Sequence, residues 1–593
     1  MSDIPTLMRS GAQHLQCARF AEAERCFREV LGLQPDYADA LNLLAIARLR
    51  QGRADEAEPL LRDAIRFSPG HLGARNNLGT LLRDTGRLDE SAVEFERMTA
   101  LAPKDPRPRM SLAIVHSQRG RHDDARVQAS AAVELMPGMA QPHFILGVVC
   151  RDAKDFAAAR VHLEIALRLE PAHVAAAGTL STVCIELEDF CAAETHARQA
   201  LDHNPADASA LHNLGIALAK QWRQVESIPF FEHATQLAPQ NAMILTDYAT
   251  AHYDLGHLDD ATTLYEKALC IDPQFSLARF ALSLLQLTRG DFASGWRNYA
   301  ARRTATELKA RWRSQTAPAW QGEPLVGKTM LLYAEQGLGD CLQFVRFVPD
   351  LIDRGAAIRV EVPAPLRALL QENHWPVVFQ DMNAPAGVPA SDYECSLIDI
   401  PMLLNIGVSE LPGAAGYLHA PNDAVARWQN RLPADGRLRV GLCWAGSAGH
   451  KNNRNRSIPV ELFAEICAGI DAQFVVLQQA PKASDVAALA AAAGQLFVPD
   501  APFADMADTA ALIDCLDLVI TVDTVIAHLA GGLAKPVWVL IPHVPDWRWM
   551  LGRADSPWYP SMRLFRQLAP EHWPALLDQL HKALAQRTSE PKS

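Results

Sequence analysis

Positive charge is in short supply: 56 Lys+Arg against 68 Asp+Glu leave a formal net charge of −12. A chain of that sign does not coat nucleic acid nonspecifically, so no nucleic-acid partner is expected. The 11 cysteines are scattered singly, without a CxxC or any paired metal-type spacing. That excludes a disulfide scaffold and a cysteine-based metal module, and fits thiols used as small apolar residues in a reducing compartment. No uninterrupted apolar run approaches the ~20 residues that span a bilayer. The first residues, "MSDIPTLMRSGAQHLQ", lack the basic-then-apolar layout of a secretory signal. A soluble, cytoplasmic protein without a membrane span is the expectation. Hydrophobic residues at 49% and charged ones at 21% suit globular domains, and 593 residues are enough for several of them.

Periodicity dominates the first half. Pro35, Pro69, Pro103, Pro137, Pro171, Pro205, Pro239 and Pro273 are each 34 residues after the last. Units then begin near residues 4, 38, 72, 106, 140, 174, 208 and 242. One position is always small: Gly11, Ala45, Gly79, Ala113, Gly147, Ser181, Gly215 and Ala249. A second is mostly alanine, at Ala64, Ala132, Ala166, Ala200, Ala234 and Ala268. Gly52, Gly86, Gly120 and Gly256 mark a turn in half the units. Two antiparallel helices approach closely where small side chains meet, and proline ends the second helix of each pair. Each pair has a flank that its neighbours must cover, which predicts a stacked solenoid. In length and pattern the repeat resembles the tetratricopeptide repeat, over residues 4 to about 275. "GDFASGWRNYAARR", Gly290 to Arg303, reads as a partial ninth unit capping it.

Such a solenoid implies a protein-binding surface. Asn42, Asn76, Asn77, Asn213 and Asp247 fall on or near its concave face by register. In the related solenoid of protein O-GlcNAc transferases an asparagine ladder holds an acceptor polypeptide, which makes Asn77 and Asn213 candidate acceptor-binding residues. The ladder is incomplete here, with Leu43, Ser111, Ile145 and Thr179 at the equivalent position. Ordinary solvated helix residues are the simpler reading.

After Arg313 the period vanishes, and short apolar runs alternate with helical stretches. Strands are expected at 329–333, 358–362, 376–379 and 393–398. After a break near "LPADGRLR" they are expected at 440–444, 474–478, 496–498, 518–522 and 537–541. Alternation of this kind predicts two parallel, doubly wound sheets, whose ligands bind beyond the strand C-terminal ends. Three loops lie there. "YAEQGLGDCLQF" has Gly337 and Gly339 between a strand and a helix, with Asp340 as a helix cap or a general base. "WAGSAGHKNNRNRSIP" gathers Lys451, Arg454 and Arg456, which suits a diphosphate as well as a solvated loop. Ser457 to Pro459 reads as a helix start. "TVDTVIAHLAGGLAKP" places Asp523 and Thr524 at a helix N-terminus and His528 one turn in, facing ligand or core.

These stretches, with "PDWRWMLGRADSPWYPSMRLFRQ", resemble the glycosyltransferase family of the ADP-heptose:lipopolysaccharide heptosyltransferases. They resemble more closely the bacterial tetratricopeptide proteins that carry such a domain at the C-terminus. The resemblance covers about 318 to 567. It implies an α/β GT-B domain of two Rossmann-like halves behind an all-α solenoid. The boundaries become 1–310 for the solenoid with its cap, 311–328 for a linker, 329–435 for the acceptor half and 436–593 for the donor half. The resemblance makes Asp340 the base. Gly337, Gly339, Lys451, Arg454, Arg456, Asp523, Thr524 and His528 become the donor site. Val525 departs from the family, which has glycine after the threonine, so the pocket beside the phosphates must differ from one for ADP-heptose. The expectation is an inverting, metal-independent glycosyltransferase without a cofactor. Its donor is a nucleotide-diphosphate sugar, and its acceptor is a protein or peptide on the repeats. The alternative is a non-catalytic tetratricopeptide scaffold with a degenerate sugar-nucleotide-binding domain. Trp547, Trp549, Trp558 and Tyr559 are expected mainly to pack the C-terminal crossover.

Overall fold

A computed structural model describes residues 3–305, 316–383, 390–411, 416–447, 449, 452–570 and 572–589. Residues 311–315 of the expected linker fall outside these residues, as does Lys451. The chain packs as two compact units, Met1–Pro239 and Gln240–Ser593.

The first unit holds seven helix pairs, from Ile4–Gln16 with Phe20–Leu33 to Ala208–Lys220 with Gln224–Leu237. First helices begin at residues 4, 38, 72, 106, 140, 174 and 208, in step with the proline period. The small positions do what close packing requires. A Cβ on Gly79 would stand 2.8 Å from Phe95 Cζ, and one on Gly215 2.8 Å from the Phe231 ring. Where the repeat carries glycine, a large side chain sixteen residues on fills the space. The second-helix alanines named above are fully buried.

The turn between paired helices is left-handed in every repeat, glycine or not. Gly52, Gly86 and Gly120 have φ of 76°, 77° and 73°, and Ala18, Lys154, Glu188 and Trp222 adopt 55°, 61°, 58° and 65° at the equivalent position. Glycine marks only part of the turns because helix packing on both sides holds the other residues in a conformation they disfavour.

The second unit opens with the eighth repeat, Ala242–Asp254 and Leu258–Ile271. A ninth pair follows: α1 (Ser276–Thr288) and the shorter α2 (Phe292–Tyr299), then a 3-10 turn at Ala300–Arg303. The ninth unit is therefore a full pair with a truncated second helix. Next come β1 (Thr329–Tyr333), α3 (Leu338–Phe344), β2 (Ala357–Val362), β3 (Val378–Asp381) and β4 (Tyr393–Ser396). They form a parallel sheet in the order β3-β2-β1-β4. A second parallel sheet has β5 (Leu438–Cys443), β6 (Ala472–Val476), β7 (Leu496–Phe497), β8 (Leu518–Val522), β9 (Val537–Ile541) and β10 (Met562–Arg566) in the order β10-β9-β8-β5-β6-β7. Helix α4 (Val525–Gly532) follows β8. The strands β1, β8 and β9 coincide with the runs expected from sequence, and β10 was not expected.

Both sheets are wound outward from their first strand, first to one side and then to the other. The direction reverses between β1 and β4 in one sheet and between β5 and β8 in the other. A reversal splays the flanking loops and opens a crevice at the strand C-terminal ends. The loops that open "AEQGLGD", "WAGSAGH" and "DTVIAH" leave the sheets at those two points.

A candidate active site at the sheet reversals

The loop after β1 meets the helix after β8. A Cβ on Gly339 would stand 2.8 Å from His528 Cδ2, so only glycine lets the two pack this closely. His528 is 5% exposed. Its Nδ1 is 2.9 Å from the Tyr559 hydroxyl, and its ring stacks on Trp549 with centroids 5.5 Å apart. Burial, then the positive charges of Arg548, Arg346 and Arg456, hold its pKa well below the ordinary value. His528 is thus a neutral, packed histidine at the junction of the two sheets.

Asp340 is the third residue of α3, not its N-cap. Its Oδ2 accepts from the Gly337 amide at 2.8 Å, a capping-box bond that satisfies a helix-end donor. Its Oδ1 pairs with Arg548. Arg548, in a 3-10 turn at Trp547–Trp549, also donates to Asp546 at 2.8 Å and through Nε to Gln343 Oε1 at 2.7 Å. Arg548 and Gln343 were not singled out from sequence. The signal for Arg548 was an arginine between two tryptophans, both of which turn out to be buried.

Thr524 caps α4, its hydroxyl accepting from the Ile526 amide at 3.3 Å. Asp523, half-buried beside it, has its pKa raised to about 6. Desolvation is the main cause and the Asp546 charge the next, with Arg456 and Arg548 opposing. The Trp549 indole also favours the charged form, yet its Nε1 completes no hydrogen bond among the described residues. Arg456 lies over the backbone of Gly446, where a Cβ would be 2.6 Å from its Nη2. Its Nε is buried without a hydrogen-bond partner among the described residues. A guanidinium so placed retains a donor for an anion. Arg454, by contrast, is exposed. The helix expected at Ser457 to Pro459 begins at Val460 with Pro459 as its N-cap, and Ser457 ends the preceding turn. Ser457 accepts from the Gly446 amide at 3.2 Å and donates to Asn453 Oδ1 at 3.0 Å, tying the basic loop to itself.

Behind this constellation, the first sheet's reversal is filled from the solenoid cap. Arg302, 1% exposed, ion-pairs with Glu335 and with Asp399, the latter at 2.7 Å. Tyr299 of α2 accepts from Gln336 Nε2 at 3.1 Å through its hydroxyl. Glu335 and Gln336 are the two residues before Gly337, so the cap anchors the glycine loop directly. Trp547, Trp558 and Tyr559 are buried as expected, and Trp547 and Trp558 pack with Phe292 or Trp296 of α2. In the solenoid, Asn77 Nδ2 donates to Asn42 Oδ1 at 2.8 Å, and Asn213 Nδ2 donates to Thr182 Oγ1 at 2.9 Å. Both amides link neighbouring repeats.

Comparison with known proteins bears on the first half. Residues 14–71, 110–174 and 185–242 match one tetratricopeptide repeat model and residues 48–114 another. The N-terminal region therefore consists of tetratricopeptide repeats. Protein FlbA of Caulobacter vibrioides is 26% identical over 381 residues, covering 60% of this chain and 63% of FlbA. The chain thus spans less than two thirds of that relative's length. Among solved structures, the APC/C hetero-tetramer Cut9–Hcn1 is similar at 18% identity and a TM-score of 0.38, over 47% of this chain and 55% of that one. The Pseudomonas aeruginosa PilF structure is similar at 17% identity and a TM-score of 0.32, over 37% of this chain and 97% of that one. Among the described residues no helix is long and apolar enough to cross a membrane.

Proposed function

We propose that this protein is a glycosyltransferase of the GT-B type. It moves a sugar from a nucleotide-diphosphate donor to a protein or peptide acceptor presented by the repeats. One observation carries the reading: the sequence motifs that follow β1, β5 and β8 converge where both sheets reverse. Asp340, Arg548, Asp523 and the incompletely bonded Arg456 gather there. Tetratricopeptide solenoids are protein-binding scaffolds, which gives the repeats the acceptor's role.

In this reading the acceptor hydroxyl attacks the anomeric carbon. The bond from that carbon to the diphosphate oxygen breaks with inversion. Arg456 and the N-terminus of α4 stabilise the charge growing on the departing diphosphate. Asp340 accepts the hydroxyl proton. Arg548 occupies the Asp340 carboxylate in their ion pair, so in this reading the incoming diphosphate draws Arg548 away from it. That exchange couples donor binding to activation of the base. The chemistry needs no metal or cofactor, and the free thiols fit a cytoplasmic setting.

A second reading, a binding scaffold without turnover, is favoured by the same ion pair, since Asp340 is engaged twice by protein groups. Donor binding tests what both readings share. A panel of nucleotide-diphosphate sugars is screened by thermal shift, since a ligand that binds the folded chain raises its midpoint. At least one is expected to do so, with the shift abolished in Arg456→Ala. No shift with any donor would remove both readings.

A further inference from the structure

The left-handed turn of every repeat closes with the same backbone bond, from the amide of the residue after the turn to the carbonyl five residues earlier. In the eighth repeat it runs from His257 to His252 at 2.9 Å, and in the second from Arg53 to Arg48 at 3.0 Å. The bond holds those two positions side by side, and a third, three residues on, faces them. Several repeats place an ion pair across the second and third positions: Arg53 with Glu56, Arg87 with Glu90, Arg121 with Asp124 and Arg223 with Glu226. The eighth departs from this. It alone has histidine at both of the first two positions, and it keeps the acid at the third.

We propose that His252, His257 and Asp260 form a binding site for a late first-row divalent cation such as Zn²⁺. Their ligand atoms all lie within 4.8 Å of one another. His252 Nδ1 is 3.3 Å from His257 Nδ1 and 3.8 Å from an Asp260 oxygen. A tetrahedral ion with bonds of about 2.0–2.1 Å sets its ligand atoms roughly 3.3 Å apart, so small side-chain rotations complete the set. Two imidazole nitrogens and a carboxylate favour zinc, nickel or copper over the all-oxygen ions calcium and magnesium. Tyr248 packs against the His252 ring, with ring centroids 4.8 Å apart. The side chain of Asp260 is 67% exposed, which leaves the fourth position to water. Such an ion staples both helices of the eighth repeat at their turn. Gly256, in that turn, packs against His543, three residues before Asp546. The staple therefore stands behind the loop that carries Arg548, without being part of the chemistry proposed for it.

The test is calorimetric titration of EDTA-treated full-length protein with Zn²⁺, repeated with Co²⁺ to follow its visible absorption. The expected result is about one ion per chain, a rise in the thermal midpoint, and loss of both in His252→Gln/His257→Gln. Should that variant fail to fold, Asp260→Ala carries the test, because removing an exposed side chain leaves the repeat intact. Its affinity is expected to fall by at least about tenfold. No Zn²⁺ binding by the wild type, or binding undiminished in the variants, would overturn the proposal.

Discussion

A single methyl group at Gly339 would stand 2.8 Å from an imidazole that Tyr559 and Trp549 hold in place. Neither neighbour can yield, since both are buried. Gly339→Ala is expected to destabilise the second unit by about 1–3 kcal/mol, the cost of overpacking a well-filled core, as read by urea unfolding. Asp523 carries a different prediction. Its carboxyl titrates near 6 in the folded chain, against an ordinary 3.8. The folded state therefore binds the extra proton across that window. Stability falls as pH rises through it, and the loss is complete above about 6. The same ionisation adds negative charge beside the proposed diphosphate site, facing Asp546, Arg456 and Arg548. Donor affinity is expected to weaken as pH rises from 5 to 7, and Asp523→Asn to flatten that dependence in a binding titration. A slope that persists in the variant would assign the effect to another group.

Among elements, the repeat turn shows what sequence could and could not disclose. Glycine flagged it at Gly52, Gly86, Gly120 and Gly256, while Lys154 or Trp222 in the same conformation left no mark, because packing and not residue preference holds them there. Replacing exposed Lys154 by glycine relieves that strain. The expected gain is about 1 kcal/mol in chemical denaturation, and a loss would mean the side chain makes compensating contacts. Strand β10 was hidden for a related reason. "MRLFR" is an edge strand with one exposed arginine, set in a stretch rich in tryptophan and proline, and its pairing with β9 supplies what its own pattern lacks. The longer parallel strands were legible because burial on both faces makes them continuous apolar runs. The candidate site was half legible. Motifs at strand ends announced Asp340, Arg456 and Asp523, but Arg548, Arg302 and Gln343 gain their meaning from partners far away in sequence, which no local pattern encodes.

For the molecule as a whole, the end of the repeats near residue 310 is not where packing divides, since the second unit begins at Gln240. Phe292, Trp296 and Tyr299 belong to the same core as Trp547 and Trp558. Arg302 is the buried counter-ion of Glu335 and Asp399. A fragment of residues 240–593 is therefore expected to fold cooperatively. One of residues 311–593 loses those aromatics and leaves two buried carboxylates without their arginine, a defect worth about 3–5 kcal/mol by itself. Far-UV circular dichroism melts distinguish the two, and equal stability would mean the cap is dispensable. The repeats thus reach the proposed site through their last pair, whose Tyr299 and Arg302 hold the glycine loop. The most direct measurement of the central claim is nucleotide release by the full-length protein from whichever donor it binds, with and without a candidate acceptor protein. The account predicts sugar on the acceptor, release that the acceptor accelerates, and loss of both in Asp340→Asn and Arg456→Ala. Donor binding without transfer to any acceptor, or transfer unchanged in those variants, would contradict it.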